Sequence, residues 1–491
     1  MSRKFRILLA IFLCFAACFV FVSCDDPPAS DGDGETAGTA GDVTEDNQQG
    51  EIGNAGNENQ SGGTEYIQIS TAQQLLGIVN DADGKYTLTQ NIDFDGRNIE
   101  PLFDEENPFE GEINGGGYSV SGFTMTGDAE NIGLLGYVGD NGKITDVALN
   151  DFRINVTVEE KKVQQDNAPS IMPGVAAGSG TSPIQTKTNI GAVAGTVNGA
   201  LNNITVTGEI NITARENVYI GGVAGVANGN IANCRSFVDI SLERDTPAVP
   251  AMTAYVGGVV GRNDYLLGAC DYSGAITTTN IKAYAGGIVG FANMDGLTMS
   301  RLYANAEISA DYGSVIGGLV GALRAALVQS YSEGMLITYG YGMTAGGIAG
   351  IIGVATPDNT GAGACSFVSS ADINNCYSLC VIDAREDLMT DGDESAGDFI
   401  PPSWASQPKN YFGGIVGSGN GIVANSMYVY FVPTDGSMVI TNPFGSNISS
   451  ENCYVVMYGD GAYYADKLNE GQEGEIWKNN KDSFPTLTIF G

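Results

Sequence analysis

Histidine is absent from this 491-residue chain. That removes Ser-His-Asp and Cys-His nucleophile systems, HExxH zinc peptidases and every other site that needs an imidazole. Basic residues are also scarce: 22 Lys+Arg stand against 57 Asp+Glu, a net charge of −35, so nucleic acid is a poor partner for it. Only 16% of residues are charged, while 43% are hydrophobic, too apolar a balance for a disordered chain. Glycine is abundant instead, at 69 residues, which is too much punctuation for a helical protein. Carboxylates remain the only catalytic apparatus on offer, and no acidic pair stands out along the sequence.

The N-terminus carries an address. Arg3, Lys4 and Arg6 precede an apolar run from Ile7 to Val22, and Ser23-Cys24 leads directly into Asp25-Asp26. Sixteen apolar residues are short for a bilayer span of roughly 20 and suit an export signal over residues 1–24. Residues 25–63 hold ten acidic and no basic side chains among Gly, Asn, Ser, Pro and Gln, a composition that buries no core and reads as a flexible tether.

The dominant feature is repetition. Gly-Gly-aliphatic-(Val/Ala)-Gly occurs six times, from Gly221, Gly257, Gly286, Gly317, Gly346 and Gly413, preceded by the degenerate copies Ile132–Gly136 and Gly191–Gly195. The closing glycines are spaced 59, 30, 36, 29, 31, 29 and 67 residues apart, a period of about 30 with non-repeating stretches near 159–187 and 383–407. Downstream of the blocks stand Cys234, Cys270, Ser330, Cys376 and Ser426, four of them after Asn or Ala, with an aliphatic residue six further on at Ile240, Ile276 and Leu336. Even spacing puts both on one strand face. Units this short bury nothing alone, so they are expected to stack as a parallel β-helix, eight or nine coils rising about 4.8 Å each.

Two side-chain files need interpretation. Cys234, Cys270 and Cys376 share one repeat position with Ile204, Ser330 and Ser426, as expected for an interior ladder. The even number of cysteines after Cys24, with Cys365, Cys380 and Cys453 as the others, leaves disulfides open in an oxidising compartment. Tyr219, Tyr255, Tyr284 and Tyr411 each lie two residues before a Gly-Gly block, and Tyr303, Tyr331, Tyr377 and Tyr454 sit at or near the position after the ladder. With the ladder inside, these rings face outward. The first four are candidate ligand-binding residues for a glycan or an extracellular protein; the competing expectation is that they only stack on one another. No metal site and no cofactor are expected. Asp81-Ala82-Asp83 and Asp93-Phe94-Asp95 are acidic fragments without the further ligands of a calcium loop.

The blocks resemble the GLUG motif of bacterial surface proteins, found in adhesin-like proteins and in non-catalytic regions of immunoglobulin A peptidases, and the match covers roughly residues 65–491. The resemblance implies a right-handed parallel β-helix. Ile69–Leu76, a short helix with Thr71 and Gln74 as a capping box, is similar to the family's leading segment and places an N-terminal cap and first coils at 64–130, before repeats at 131–450. The tail Glu475–Lys478 with Phe484–Leu487 resembles its closing cap, at 451–491. The start of the chain resembles a lipoprotein signal, with Cys24 as the residue lipidated. Together these predict an exported, lipid-anchored protein at the cell surface or outer membrane. It would act as an adhesin-like binding or spacer module without catalysis, the alternative being a carbohydrate-active β-helix enzyme using Asp/Glu.

Overall fold

In a computed structural model, residues 66–159, 187–245, 253–311, 313–353, 371–385, 409–430 and, with interruptions, 440–490 are described. The chain is a parallel β-helix. Each glycine block closes one strand of an eight-stranded parallel sheet, and the eight blocks supply its eight strands in chain order from Asn131–Ile132 to Tyr411–Gly413. After the block, a short strand such as Ala224–Ala227 and a long one such as Arg235–Glu243 complete the coil and pair in register with the coils above and below. The helix Ala72–Leu76 is capped as expected: Thr71 Oγ1 accepts from Gln74 N at 3.2 Å, and Gln74 Oε1 accepts from Ser70 N at 2.8 Å. Its Leu75, with Ile78 beyond it, enters the same core as the strands.

Why five residues of glycine and aliphatics repeat is answered by the space around each glycine. A Cβ on Gly221 would lie 2.0 Å from Ala224 O, and one on Gly225 would lie 2.4 Å from Ile190 N. Both are backbone atoms, so the turn is a backbone-on-backbone approach that tolerates no side chain. The second glycine serves the interior: a Cβ on Gly258 would press into the Tyr272 ring, and one on Gly414 into the Tyr428 ring. Those two tyrosines point inward, with Tyr272 Oη donating to Val238 O at 3.0 Å.

The Cys/Ser position is an interior ladder, interleaved with Ile204 and Leu302, and Cys234, Cys270, Ser330, Cys376 and Ser426 are completely buried. Ile240, Ile276 and Leu336 are buried beside it. The preceding residue is the corner that turns it in. Asn203, Asn233, Ala269, Arg301, Gln329, Asn375, Asn425 and Asn452 all adopt φ between 46° and 57°. Asn is favoured there because its short amide tolerates the left-handed region. Ladder hydroxyls and thiols then donate to the carbonyl two residues back, Ser330 to Val328 at 2.8 Å and Cys234 to Ala232 at 3.2 Å. Asn233→Val is therefore expected to cost about 1–3 kcal/mol and Asn233→Gly only a fraction of that, as read from denaturation midpoints. Equal losses would show that the side chain, not the dihedral, holds the corner.

The non-repeating stretches lie mostly outside the described residues. At their margins the repeat extends further than expected: Asp383–Arg385 belong to the strand Val381–Arg385, paired with Met335–Tyr339, and Lys187 opens the strand Lys187–Ile190.

Candidate functional site

Tyr219, Tyr255 and Tyr284 are in register on consecutive coils and stack at 5.0 and 5.4 Å between ring centroids. They lie outside the main core, as their parity requires, yet each is at most 3% exposed. This corrects the expectation of rings open to a ligand. The tight glycine turn brings the next strand of each coil alongside, and the outward residues Phe291, Ala322 and Ile351 of these strands close over the rings, with Val315 extending the file. Lys187 Nζ donates to Tyr219 Oη at 2.8 Å, and the Arg262 guanidinium lies over the Tyr219 and Phe291 rings at 5.8 and 6.0 Å. Tyr411 is not part of the stack. It lies three coils beyond Tyr284, where it pairs with Thr344, and is half-buried, with Lys409 Nζ 5.4 Å from its ring centre. Cys24 lies outside the described residues.

The second file occupies the outer face of the long strands. Tyr303, Tyr331 and Tyr377 stack at 4.4 and 4.9 Å, and Met427 and Tyr454 continue the row. The C-terminal segment, expected as an end cap, lies as a strap along this side. Trp477 packs on Tyr331 and Tyr377 at 5.8 and 5.2 Å, and Phe490 on Tyr303 at 6.1 Å. Polar contacts fasten it: Trp477 Nε1 donates to Asn375 Oδ1, Asn375 Nδ2 donates to Leu468 O, and Tyr377 Oη donates to Pro485 O. Asn375 is thus both corner and anchor.

At the margin of the strap the row runs out into a cleft of about 190 Å³ lined by Arg235, Asp271, Tyr303, Tyr331, Thr486 and Phe490. Arg235 and Asp271 precede Tyr303 on the same row, one coil apart. Arg235 Nε stands 3.4 Å from Asp271 Oδ1, an oxygen that is buried and accepts no hydrogen bond. Burial raises the Asp271 carboxyl, and the Arg235 charge opposes that only in part. Phe237, two residues beyond Arg235 on the same face, is 42% exposed. A carboxylate beside a guanidinium, a threonine hydroxyl and the rings of Tyr303 and Phe490 are the groups that hold a hydroxyl-rich ring. The sequence missed this place because it joins residues more than 200 positions apart.

Glu333 is a second carboxyl raised by burial, and it stands two residues beyond Tyr331. Asp271 and Glu333 are separated by two coils and two residues, about 12 Å between Cα atoms. Side chains stand nearly perpendicular to a sheet, so their carboxyls keep roughly that separation, beyond the ~5–9.5 Å used in glycoside hydrolysis. Asp311 has another role. Burial pushes its carboxyl up from 3.8 to about 6, although Asn280 N donates to both oxygens at 3.0 and 3.1 Å. The folded chain holds this proton more tightly than the unfolded one. Its stabilisation is therefore full below about pH 4 and lost as pH rises through about 6, an effect of order 2–3 kcal/mol. Melting temperature is expected to rise from pH 7 to pH 5, and Asp311→Asn to flatten that slope; an unchanged slope would assign it to other carboxyls.

Among the described residues, no group of three or more His, Cys, Asp or Glu side chains is placed to hold a metal ion, and Asp93 Oδ1 instead accepts from Asp95 N at 2.9 Å in a local turn. Among the same residues, no helix is long and apolar enough to cross a membrane.

No family model matches the chain. It is similar, at 40% identity over 80 residues, to a protein of Evansella cellulosilytica described as "Putative Gly-rich membrane protein"; the match covers 16% of this chain and 9% of that one. It is also similar to halomucin of Haloquadratum walsbyi, at 26% identity over 179 residues covering 33% of this chain and 2% of the other. The chain thus spans less than a tenth of the curated relatives it matches. Among solved structures, a chain described as "a putative immunoglobulin A1 protease" from Bacteroides ovatus aligns over 87% of this chain and 93% of its own, at 14% identity and a TM-score of 0.39.

Proposed function

We propose that this chain is an exported bacterial surface protein of the GLUG-motif type, lipid-anchored through Cys24 and held off the membrane by its acidic tether. On this reading it works as an adhesin-like binding module without catalysis. Its ligand site is the cleft at the strap margin, and its ligand a glycan, with Asp271 accepting from hydroxyls, Arg235 and Thr486 donating, and Phe490 stacking on the sugar face. The observation that carries this reading is the Arg235–Asp271 ion pair standing beside the Tyr303 and Phe490 rings in one cleft. The absence of histidine and the wide spacing of Asp271 and Glu333 favour binding over hydrolysis.

The test is a glycan and matrix-protein array probed with the full chain. Phe490→Ala and Asp271→Asn are each expected to lower binding about tenfold or more, corresponding to ~1.4 kcal/mol. Binding that survives both changes would remove the cleft from the reading. Release of reducing ends from a bound polysaccharide would replace it with the carbohydrate-active alternative.

A further inference from the structure

Cys234 and Cys270 hold the same ladder position on adjacent coils. The long strands that follow them pair in parallel from Arg235↔Asp271 onward, and Asp271 N donates to Cys234 O at 3.0 Å across the junction. The two Cα atoms are therefore about one strand spacing apart, ~4.8 Å, within the 4.4–6.8 Å range of cystines. Both side chains are completely buried, and each thiol donates to the carbonyl two residues back, Cys234 to Ala232 and Cys270 to Gly268. Ile204 precedes the pair on the ladder and Leu302 follows it, so aliphatic side chains seal it on both sides.

Among the described residues no other two cysteines occupy neighbouring rungs. Cys376 stands between Ser330 and Ser426, Cys453 lies beyond Ser426, and Cys380 is off the ladder, where its backbone N donates to Ser378 Oγ. The ladder accepts aliphatic side chains at Ile204 and Leu302, and where it holds a small polar one that donates to the carbonyl two residues back, serine suffices at 330 and 426. Two cysteines in succession exceed that need.

We propose that Cys234 and Cys270 are a redox pair that closes into a disulfide when the chain folds in the presence of an external disulfide, bolting two successive coils together. One thiolate attacks the external disulfide and expels one of its sulfurs as a thiolate. The second cysteine then attacks the resulting mixed disulfide and releases the other. The chain loses two protons and two electrons, and the external disulfide is reduced to two thiols. The neighbouring Cys234 and burial together raise the Cys270 thiol, and burial excludes reagents, so exchange takes place before the coils close. Once formed, the bond is shielded from reductant by the same packing.

The full chain, purified reduced and unfolded, is refolded with glutathione disulfide or with dithiothreitol, then denatured, alkylated and mapped by mass spectrometry. The expected result is a cross-linked peptide joining Cys234 to Cys270 in the first sample and two alkylated cysteines in the second, with the oxidised form melting several degrees higher. Cys270→Ser places on the ladder the residue it already uses at 330 and 426, so this variant is expected to fold and to melt at one temperature under both conditions. Alkylation of both cysteines after oxidative refolding, a cross-link to any other cysteine, or a redox-dependent melt that persists in Cys270→Ser would each overturn the proposal.

Discussion

Gly257→Ala is expected to destabilise the chain by roughly 3–5 kcal/mol, an unusually large loss for the addition of one methyl group. The new Cβ would lie 2.0 Å from Val260 O and 2.7 Å from Ile288 O. Both oxygens belong to backbone fixed by sheet pairing on this coil and the next, so neither can withdraw without breaking coil-to-coil hydrogen bonds. Conformational strain adds nothing, because the left-handed backbone glycines do not include Gly257. Gly268→Ala on the same coil is the control: its Cβ would meet Ser300 O at 3.4 Å, ordinary contact. That variant is expected to change stability by less than about 1 kcal/mol, partly through a less flexible unfolded chain. Chemical denaturation of both variants checks the pair, and similar midpoints would show that the glycine of the block is not a steric necessity.

Trp477→Ala is expected to cost about 3–5 kcal/mol in the attachment of the strap. The ring is completely buried against Tyr331 and Tyr377, and its Nε1 donates to Asn375, so truncation removes packing and also orphans an amide at a corner of the coil. The coils themselves keep every strand pairing. Limited proteolysis should therefore release the segment beyond Met457 while the circular dichroism of the sheet is unchanged. Co-operative loss of both signals would instead make the strap part of the solenoid's folding unit. Because Thr486 and Phe490 of the strap line the cleft, the same variant should also abolish glycan binding.

The repeat was legible because a solenoid writes its period into one dimension. Each coil must present glycine where backbones meet and a buried side chain at the ladder, small and polar in most copies, so spacing alone exposed the eight strands of the glycine sheet. Parity along a strand likewise placed the ladder inside and the tyrosines outside.

Parity does not report what covers an outward face. Tyr219, Tyr255 and Tyr284 do leave the core, but the turn made by Gly221 and Gly225 folds a neighbouring strand against them, a relation between residues of different coils. Tyr331 and Tyr377 are covered by Trp477, contacts spanning 146 and 100 positions that no local period contains. From composition and spacing alone came the absence of imidazole chemistry, the period, the β-helix and the inward ladder, because those follow from local geometry repeated. The burial of the tyrosines, the lateral path of the closing strap and the Asp271 cleft beside it were decided by tertiary structure, since each depends on which distant surfaces the finished coil brings into contact.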